Sequence, residues 1–495
     1  MTGQIRFGGL ALAVSAAILA GGVAGAGTIG LDSLLPPSDT AQSETLEKGR
    51  TALQEGRFAE AEALSRDVTR SAPDLADGWY LLGLSLANLD RVDEALVALR
   101  KAANLYASNA QPLVVIGDLL RSTGRLNEAE AAYTEAVERD PGTWPAQDSL
   151  GQLLEAKGDL DAAIERFRAA VDAAPAEAPE PALNLARALA KAGRPGEAAA
   201  ALGPLAARPD APLPVLETAA RAALAAGERD TARAHLERIA GRAQSPSGRL
   251  GLAQLALQDG NTAAAKTQLT AAREEFPESP AVLLQLGNLQ GAMRDYETAL
   301  ATYSEGLRLA PENPALTKAA SLAEMRLGRL DAAAARAETL VARPGATAAD
   351  FAWLATLREM QGQPQDARKN YERAVEMQPD NWIALNNLAA LIAETEPSAA
   401  AELAQRAVEL APEIPDVKET LAWSMFQAGD LARAADVYAA LHAETPGDAV
   451  AAYRFGLVRL AQGREDEGRA LIEAALAADP EFKYAEQARD TIGAD

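Results

Sequence analysis

Small residues return along this chain at a fixed step of 34 residues, and this period constrains the fold more than any other feature. A ladder of alanines keeps the step from Ala61 to Ala163. The glycines that keep it are Gly49, Gly83, Gly117 and Gly151. A fixed period of roughly 20 to 50 residues is typical of repeat architectures, in which each unit buries its apolar face against its neighbours. We therefore expect one long array instead of several separate globular domains.

Composition indicates that the repeating unit is helical. Hydrophobic residues make up 48% of the chain, but aromatic residues supply only 4%. Alanine, leucine, glutamate and arginine are strong helix formers, and they dominate here. Counting units of 34 residues from residue 42, with one-residue shifts, gives about thirteen units that end at residue 482. The sequence predicts an all-α fold with thin cores.

Three positions of the unit have a mechanical explanation. Position 8 is Gly in six units and Ala in most others, so the first helix can approach the second closely, and we expect the alanine at position 20 to supply the facing surface. Position 32 is often proline, which ends the second helix. Position 15 is usually glycine, which suits the turn between the helices. The turn glycines are Gly56, Gly124, Gly158, Gly193, Gly227, Gly260, Gly328, Gly362, Gly429 and Gly463.

The complete pattern resembles the tetratricopeptide repeat (TPR). The third unit shows it with Ile116-Gly117, Leu120, Gly124, Ala129, Tyr133, Ala136 and Pro141. The resemblance covers residues 42–482, and it implies a TPR α-solenoid, a right-handed superhelix of about thirteen helix-turn-helix repeats with a concave groove. Because the last repeat has no following neighbour, residues 483–495 are predicted to form a C-terminal capping helix.

The array is not uniform. Residues 42–177 are predicted to hold the regular TPR units 1–4, residues 178–245 the irregular, proline-rich units 5–6, and residues 246–482 units 7–13. Eight prolines fall between Pro175 and Pro214, and Pro204 should cut the second helix of unit 5 short. This stretch is either a hinge or an irregular part of a continuous solenoid.

The first residues differ from the rest of the chain. Residues 7–31 carry no charge, and an apolar block is followed by Ala24-Gly25-Ala26, which is typical of a signal-peptide cleavage site. Residues 1–26 are therefore predicted to be a signal peptide or an N-terminal membrane anchor, followed by a linker over 27–41. We expect an exported, periplasmic protein, or one that an uncleaved N-terminal helix anchors in the inner membrane.

Charge and residue content argue against several classes of function. Acidic residues outnumber Lys and Arg by 70 to 47, so the net charge is -23, which argues against a nucleic-acid partner. The chain has no cysteine and two histidines, so no metal site is expected. No phosphate-binding loop or serine-nucleophile motif occurs, and the repeats leave little room for a catalytic domain. The sequence predicts a non-enzymatic protein without a cofactor.

The TPR resemblance also implies which side chains line the groove, namely those at positions 2, 5, 9 and 12 of each first helix. A protein partner would bind there as a peptide or a helix. Lys318 is the only lysine at position 5, so the lysine and asparagine clamp of TPR cochaperones is not expected. The candidate groove residues are Tyr80, Asp118, Arg187, Arg221, Asn288, Asn386, Trp423, Phe426, Tyr453 and Leu457.

The last four of these candidates, Trp423, Phe426, Tyr453 and Leu457, are apolar and lie in the last two units. Within each helix they are three or four residues apart, so each pair shares a helix face. We expect them to form an apolar patch suited to a peptide or a partner helix. The alternative is that they pack against an adjacent unit.

A second resemblance concerns the C-terminal units. Their phrases are similar to those of exported TPR proteins of PEP-CTERM/exosortase and exopolysaccharide-secretion systems. The phrases are Asn386-Asn387-Leu388-Ala389, Arg406-Ala407, Leu410-Ala411-Pro412, Glu419-Thr420-Leu421-Ala422-Trp423, Gly429 and Ala434-Ala435. The resemblance implies a scaffold that mediates protein–protein interactions in a cell-envelope assembly or secretion complex. The alternative is an accessory protein of exopolysaccharide biosynthesis or export that contacts the polysaccharide directly.

Overall fold

The computed structural model describes residues 41–493, and every regular element in that range is an α-helix. Short turns join the helices, and no strand occurs among these residues. The helices are α1 Ala41–Gln54, α2 Phe58–Ser71, α3 Ala76–Asn88, α4 Val92–Leu105, α5 Gln111–Ser122, α6 Leu126–Arg139, α7 Trp144–Lys157, α8 Leu160–Ala173, α9 Glu180–Lys191, α10 Pro195–Ala206, α11 Leu213–Ala226, α12 Arg229–Arg242, α13 Ser247–Gln258, α14 Thr262–Glu275, α15 Pro280–Ala292, α16 Tyr296–Leu309, α17 Pro314–Arg326, α18 Leu330–Ala342, α19 Ala348–Met360, α20 Pro364–Met377, α21 Trp382–Ile392, α22 Pro397–Leu410, α23 Pro415–Gln427, α24 Leu431–Glu444, α25 Ala449–Ala461, α26 Glu465–Ala478 and α27 Ala485–Gly493.

Successive helices pack as pairs, and each pair corresponds to one repeat. The first helix of a unit contacts its own second helix and, in most units, the first helix of the next unit as well. The first helices therefore form one layer and the second helices another. This arrangement confirms the predicted all-α TPR solenoid, in which each unit completes its core only against its neighbours.

The described residues divide into two compact units, 41–271 and 272–493, and the boundary falls within α14. The first unit has an alanine- and leucine-rich core, in which Tyr133 and Phe167 are the largest fully buried side chains. In the second unit the largest fully buried side chains are Tyr371 and Tyr438. Both cores are thin, as the low aromatic content predicts.

The turns between paired helices confirm the role predicted for position 15. All ten predicted turn glycines have a left-handed backbone, with φ between 72° and 89°. In units 2 and 8 the same position is occupied by Asp90 and Arg294, which adopt φ of 60° and 63° without being glycine. In these two units the turn imposes this backbone conformation although the residue type opposes it, whereas Glu396 at the same position of unit 11 has φ -136°.

The small residue at position 8 meets a larger neighbour that the sequence analysis did not name. A Cβ atom added to Gly117 would lie 2.3 Å from the ring of Tyr133, and one added to Gly287 would lie 2.3 Å from the ring of Tyr303. Both tyrosines occupy position 24 of the same unit. Position 20 faces position 8 as well, since the hydroxyl of Ser321 at position 8 of unit 9 donates to the carbonyl oxygen of Ala333 at position 20 at 2.8 Å.

The proline-rich stretch has one shortened helix, but its buried core is continuous. The helix α10 passes through Pro204 and ends two residues later, so it has 12 residues where α8 has 14. One buried cluster runs from Phe167 of α8 through Val215 of α11 to Leu255 of α13. Because the core is continuous there, and the division into compact units falls at residue 271, the structure gives no support to a hinge at this stretch.

The last described helix lies on the end of the array. Ala485 and Ala488 of α27 are buried in one cluster with Tyr453 and Ile472 of unit 13. Among residues 41–493, no helix is both long and apolar enough to cross a membrane. The predicted signal peptide or anchor, and the uncharged segment 7–31, lie outside the described residues.

Candidate partner-binding face

Positions 2, 5, 9 and 12 of the first helices lie on one side of each helix, because steps of three and four residues follow the helical period. We call the surface that they form the first-helix face. The second helices do not share it, since they occupy the other layer. This face carries two clusters of side chains that contact one another, one in units 3–5 and one in units 12–13.

The first cluster is centred on a buried carboxylate. Asp148 of α7 is only 7% exposed, and Asn184 of α9 donates to its two carboxylate oxygens at 2.9 and 3.0 Å. Gln152 donates to the same carboxylate at 2.7 Å. Arg187 donates to the amide oxygen of Asn184 at 3.0 Å and to Glu155 at 3.2 Å. Side chains of units 4 and 5 are thereby fixed in one arrangement.

The same cluster extends into unit 3. Arg121 of α5 donates to the amide oxygen of Gln152 at 3.0 Å and lies 3.7 Å from the carboxylate of Asp118. The hydroxyl of Tyr133 donates to that carboxylate at 2.6 Å. Two predicted groove residues, Asp118 and Arg187, are therefore joined through one polar network. We call it the units 3–5 network.

Burial raises the pKa of the two aspartates in this network. The pKa of Asp118 is raised by burial, although the hydrogen bond from Tyr133 and the nearby Arg121 oppose the rise. The pKa of Asp148 is raised for the same reason, against hydrogen bonds from Asn184 and Gln152. A carboxylate that is desolvated but held by neutral donors keeps its proton more readily than one in water.

Core tyrosines reach this face in other units as well. The hydroxyl of Tyr303 donates to Asn288 at 2.9 Å, and the hydroxyl oxygens of Tyr371 and Thr356 lie 3.0 Å apart. Burial raises the pKa of Tyr303, and likewise that of Tyr371, to about 12, so both hydroxyls keep their protons. In each unit the pair joins position 24 to position 9. The predicted residue Asn288 is exposed but oriented by this bond.

Three further predicted groove residues take no part in the units 3–5 network. Tyr80 is half-buried beside a small cavity that Arg50, Asp77 and Tyr106 also line. Arg221 is exposed on α11. The amide oxygen of Asn386 is buried and accepts no hydrogen bond, although its amide nitrogen donates to Asn387 at 3.4 Å. The structure does not bring these three side chains together.

The four C-terminal candidates do not form a single exposed patch. Trp423 and Phe426 have ring centroids 5.2 Å apart and are half-buried against the core of units 10–13. Tyr453 is only 7% exposed, because Phe482 and Tyr484 pack against its ring. Leu457 is partly buried in the same C-terminal cluster as Tyr453. The expected patch is therefore incomplete, because Phe482, the last residue of unit 13, and Tyr484, which follows it, cover the ring of Tyr453.

The residue that organises this end of the chain was not predicted. The guanidinium of Arg454 lies 4.2 Å from the ring centroid of Trp423, and it donates to Glu419 at 2.6 Å and to the hydroxyl of Tyr484 at 3.0 Å. Tyr438 donates to the same carboxylate of Glu419 at 3.1 Å. The 34-residue register could have revealed this cluster, since Tyr484 falls at position 2 of what would be a fourteenth unit.

Neither cluster has the composition of a metal site. Among residues 41–493, no group of three or more His, Asp or Glu side chains is placed so that it could hold a metal ion. Of the two histidines in the sequence, His235 and His442, the second has its ring centroid 6.3 Å from that of Phe455. What the face offers is an array of oriented hydrogen-bonding groups, cations and half-buried rings.

Layered helix pairs with such a face define an α-solenoid repeat protein, a class that acts as a scaffold for protein–protein interactions. The comparison with protein families specifies the class further. The chain belongs to the tetratricopeptide repeat family. Models of the tetratricopeptide repeat match residues 46–110, 114–178, 179–204, 217–280, 250–290, 284–349, 354–413, 390–449 and 425–489.

Individual relatives are distant. The mouse protein "RNA polymerase II-associated protein 3" is 30% identical over 107 residues, which is 22% of this chain and 16% of that protein. The match therefore spans about a sixth of the length of that relative.

Similar solved structures include the APC/C hetero-tetramer Cut9-Hcn1, with a TM-score of 0.43 and 13% identity, which covers 91% of this chain and 96% of that one. A tetratricopeptide repeat protein from Parabacteroides merdae ATCC 43184 has a TM-score of 0.41 and 18% identity, and covers 50% of this chain and 97% of that one. YrrB, described as a TPR protein with an unusual peptide-binding site, has a TM-score of 0.29 and 19% identity, and covers 45% of this chain and 97% of that one.

Proposed function

We propose that this protein is an exported, non-enzymatic scaffold that holds a protein partner of a cell-envelope assembly or secretion complex on its first-helix face. The observation that carries the proposal is the units 3–5 network, which orders Asp118, Arg187 and their neighbours on that face. Ordered polar side chains bind a partner at a lower entropic cost than mobile ones. The network contains no nucleophile paired with a base, so binding accounts for it better than catalysis.

Support for export comes from the sequence of the first residues. Residues 7–31 are uncharged and include the small residues Ala24-Gly25-Ala26, which suit cleavage after Ala26. Expression of the full chain, cell fractionation and N-terminal sequencing of the product test this part. A periplasmic product that begins at residue 27 indicates cleavage, and an intact membrane-bound product indicates the anchor. An intact product in the cytoplasm contradicts export.

The partner is best identified by site-specific photo-crosslinking in the organism's own envelope. A photoreactive amino acid replaces Arg187 or Arg221, which are exposed on the first helices α9 and α11. A matched control replaces Glu165, which is exposed on the second helix α8. We expect a discrete crosslinked protein from positions 187 and 221 and none from position 165. Equal crosslinking at all three positions, or none at any, contradicts binding on the first-helix face.

The polysaccharide alternative depends on aromatic rings that could stack on sugars. In the structure Tyr453 is buried, and the guanidinium of Arg454 lies over the ring of Trp423. These placements favour a protein partner over a glycan at the C-terminal units. Retarded migration of the full chain in gels that contain the organism's exopolysaccharide, lost in Trp423→Ala, would reverse that preference.

A further inference from the structure

The first helices of units 8–10 carry four apolar side chains, two exposed and two half-buried, that the sequence analysis did not single out. Leu322 of α17 is 42% exposed, and Met360 at the end of α19 is 50% exposed. Leu284 of α15 and Met325 of α17 are half-buried on the same face. We call these four residues the apolar stripe. All of them lie within the second compact unit.

We propose that the apolar stripe binds an amphipathic segment of a partner protein, in which acidic residues flank the apolar ones. The inference rests on the proposed function, because it specifies the partner chemistry at part of the first-helix face. A large exposed aliphatic side chain is ordinary when isolated, but several on one face mark an interaction surface. Methionine suits this role, since its flexible thioether adapts to varied partner side chains.

One side of the helix α17 carries both the apolar side chains and the cations on which the proposal depends. Lys318, Leu322, Met325 and Arg326 are spaced at i, i+4, i+7 and i+8. This spacing places two apolar side chains between two cations on a single helix face. The apolar contact surface and the charges that would select a partner are therefore built into the same helix.

Buried polar bonds hold α17 in place against the next helices. The hydroxyl of Ser321 donates to the carbonyl oxygen of Ala333 at 2.8 Å, and the indole of Trp353 donates to Ser321 at 2.9 Å. Arg336 of α18 donates twice to the carboxylate of Glu324, at 2.6 and 2.9 Å. Because these bonds fix α17 from its buried side, the stripe is preorganised before a partner binds.

Small residues leave room along the stripe. Position 2 of the three first helices is Ala281, Ala315 and Ala349, and all three are exposed. Position 12 of unit 8 is Gly291. No bulky side chain stands at these positions, so a helix or an extended segment can approach the backbone closely. This is the recognition mode in which a groove accepts the apolar face of an amphipathic segment.

The two cations of α17 favour a partner with acidic residues. Lys318 and Arg326 are exposed, and neither forms an ion pair with another residue in the range 41–493. Both are cations on a chain whose net charge is -23. The remaining acidic surface repels an acidic partner, whereas these two cations attract one at this site. A partner with basic flanks would leave Lys318 and Arg326 opposed by like charges.

Two designed peptides test the proposal with the full chain. The acidic probe is an amphipathic helical peptide with leucines at i, i+3, i+4 and i+7 and glutamates on both flanks, and the basic probe has lysines in place of the glutamates. We expect the acidic probe to bind at least about tenfold more tightly by fluorescence anisotropy, which corresponds to about 1.4 kcal/mol. The preference should weaken as the salt concentration rises.

Substitutions locate the binding site. The double variant Lys318→Glu with Arg326→Glu should reverse the preference between the two probes, and Leu322→Gln should weaken binding of both. The matched controls are Arg308→Glu, an exposed arginine on the second helix α16, and Val97→Gln, which is 70% exposed on α4. Neither control should change the affinity more than twofold. Circular dichroism checks that each variant keeps its helix content.

The outcomes separate this inference from the proposed function. No binding of the acidic probe, equal binding of both probes, or equal losses in the controls overturns the inference. If the Lys318→Glu and Arg326→Glu variant still yields the crosslinked partner through positions 187 and 221, binding on the first-helix face stands. Absence of that crosslink in the protein with an unaltered stripe would instead count against the proposed function.

Discussion

The hydroxyl of Tyr133 donates a 2.6 Å hydrogen bond to the carboxylate of Asp118, fifteen residues earlier in the chain. The tyrosine ring is fully buried between the helices of unit 3, while the carboxylate lies on the first-helix face. A residue of the core therefore fixes the orientation of a residue of the candidate binding surface. The same fifteen-residue relationship joins Tyr303 to Asn288 and Tyr371 to Thr356.

Removing the Tyr133 hydroxyl should loosen Asp118 without opening the core. Tyr133→Phe keeps the ring that fills the space at Gly117, but it loses a hydrogen bond to a charged acceptor. Since Asp118 retains partial access to water, we expect a loss of about 1 kcal/mol in the local stability of unit 3. Hydrogen–deuterium exchange of α5 and α6 measures it. Unchanged protection in both helices would show that the bond contributes nothing.

Glycine at position 8 should be far less replaceable than a helical glycine that has open space around it. In Gly117→Ala the new Cβ would lie 2.3 Å from the Tyr133 ring, so the helices must separate and we expect a loss of about 2 kcal/mol. The control is Gly196→Ala, where no atom lies within 4 Å of the new Cβ in α10.

There we expect a gain of about 0.5 kcal/mol, because alanine favours the helix over glycine. Denaturant unfolding followed by circular dichroism compares the two variants. The explanation by close packing fails if both substitutions change stability in the same direction.

The success of the sequence analysis at the level of fold has a simple physical origin. A turn that needs positive φ selects glycine, and a crowded helix crossing selects a small residue, so both leave a periodic trace. That trace predicted the ten turn glycines correctly. It did not identify what lies opposite Gly117, because periodicity records which positions are constrained and not which neighbours constrain them.

Two turns keep the left-handed backbone without a glycine, and a glycine should improve both. Arg294 has a φ of 63°, a conformation that costs a residue with a Cβ atom about 1 kcal/mol. We expect Arg294→Gly to raise stability by about that amount. Asp90→Gly should gain less, since aspartate tolerates the left-handed region better than arginine does.

Thermal unfolding measured side by side with the wild type ranks these two variants. The reverse substitution, Gly124→Ala, provides the opposite control and should lose about 1 kcal/mol. If Asp90→Gly gained as much as Arg294→Gly, the local tolerance of aspartate would not explain the difference.

The buried carboxyl group of Asp148 should make the stability of units 4 and 5 depend on pH. Burial raises its pKa in the folded state above the ordinary value of 3.8, so the folded protein holds this proton more tightly than the unfolded chain does. The resulting stabilisation is present in full below that ordinary value and is lost as the pH rises through the folded pKa.

Asp148→Asn removes this titration. Relative to the variant, the wild type should therefore become more stable as the pH falls from neutral toward about 4. Hydrogen–deuterium exchange of α7 and α9, corrected for the intrinsic effect of pH on exchange, follows the difference. A constant difference across that range would mean that Asp148 has the same pKa in the folded and unfolded states.

The candidate site was less predictable than the fold, and the reason is visible at Tyr453. Position in the repeat assigns its side chain to the first-helix face. Its exposure depends on the end of the array, where Phe482, the last residue of unit 13, and Tyr484, which follows it, cover its ring. A repeat pattern describes interior units, whose neighbours resemble themselves. At the ends of the array, contacts with non-repeating segments decide which side chains remain free.

Arg454 should be the residue on which docking of α27 depends. Its guanidinium pairs with Glu419, donates to the hydroxyl of Tyr484 and lies over the ring of Trp423, so three segments meet at one side chain. Arg454→Ala leaves the carboxylate of Glu419, whose side chain is mostly buried, without its cation. We expect a local loss of about 2 kcal/mol, faster amide exchange in α27 and a red shift in tryptophan fluorescence.

Arg454→Lys separates charge from geometry at this position. A lysine can restore the ion pair with Glu419, but it cannot make two directed bonds while stacking on Trp423, so we expect only partial recovery of the protection of α27. Tyr484→Phe removes one acceptor and should produce a smaller loss than Arg454→Ala. If Arg454→Lys behaved like the wild type, charge alone would hold α27 on unit 13, and the planar contacts of the guanidinium would be dispensable.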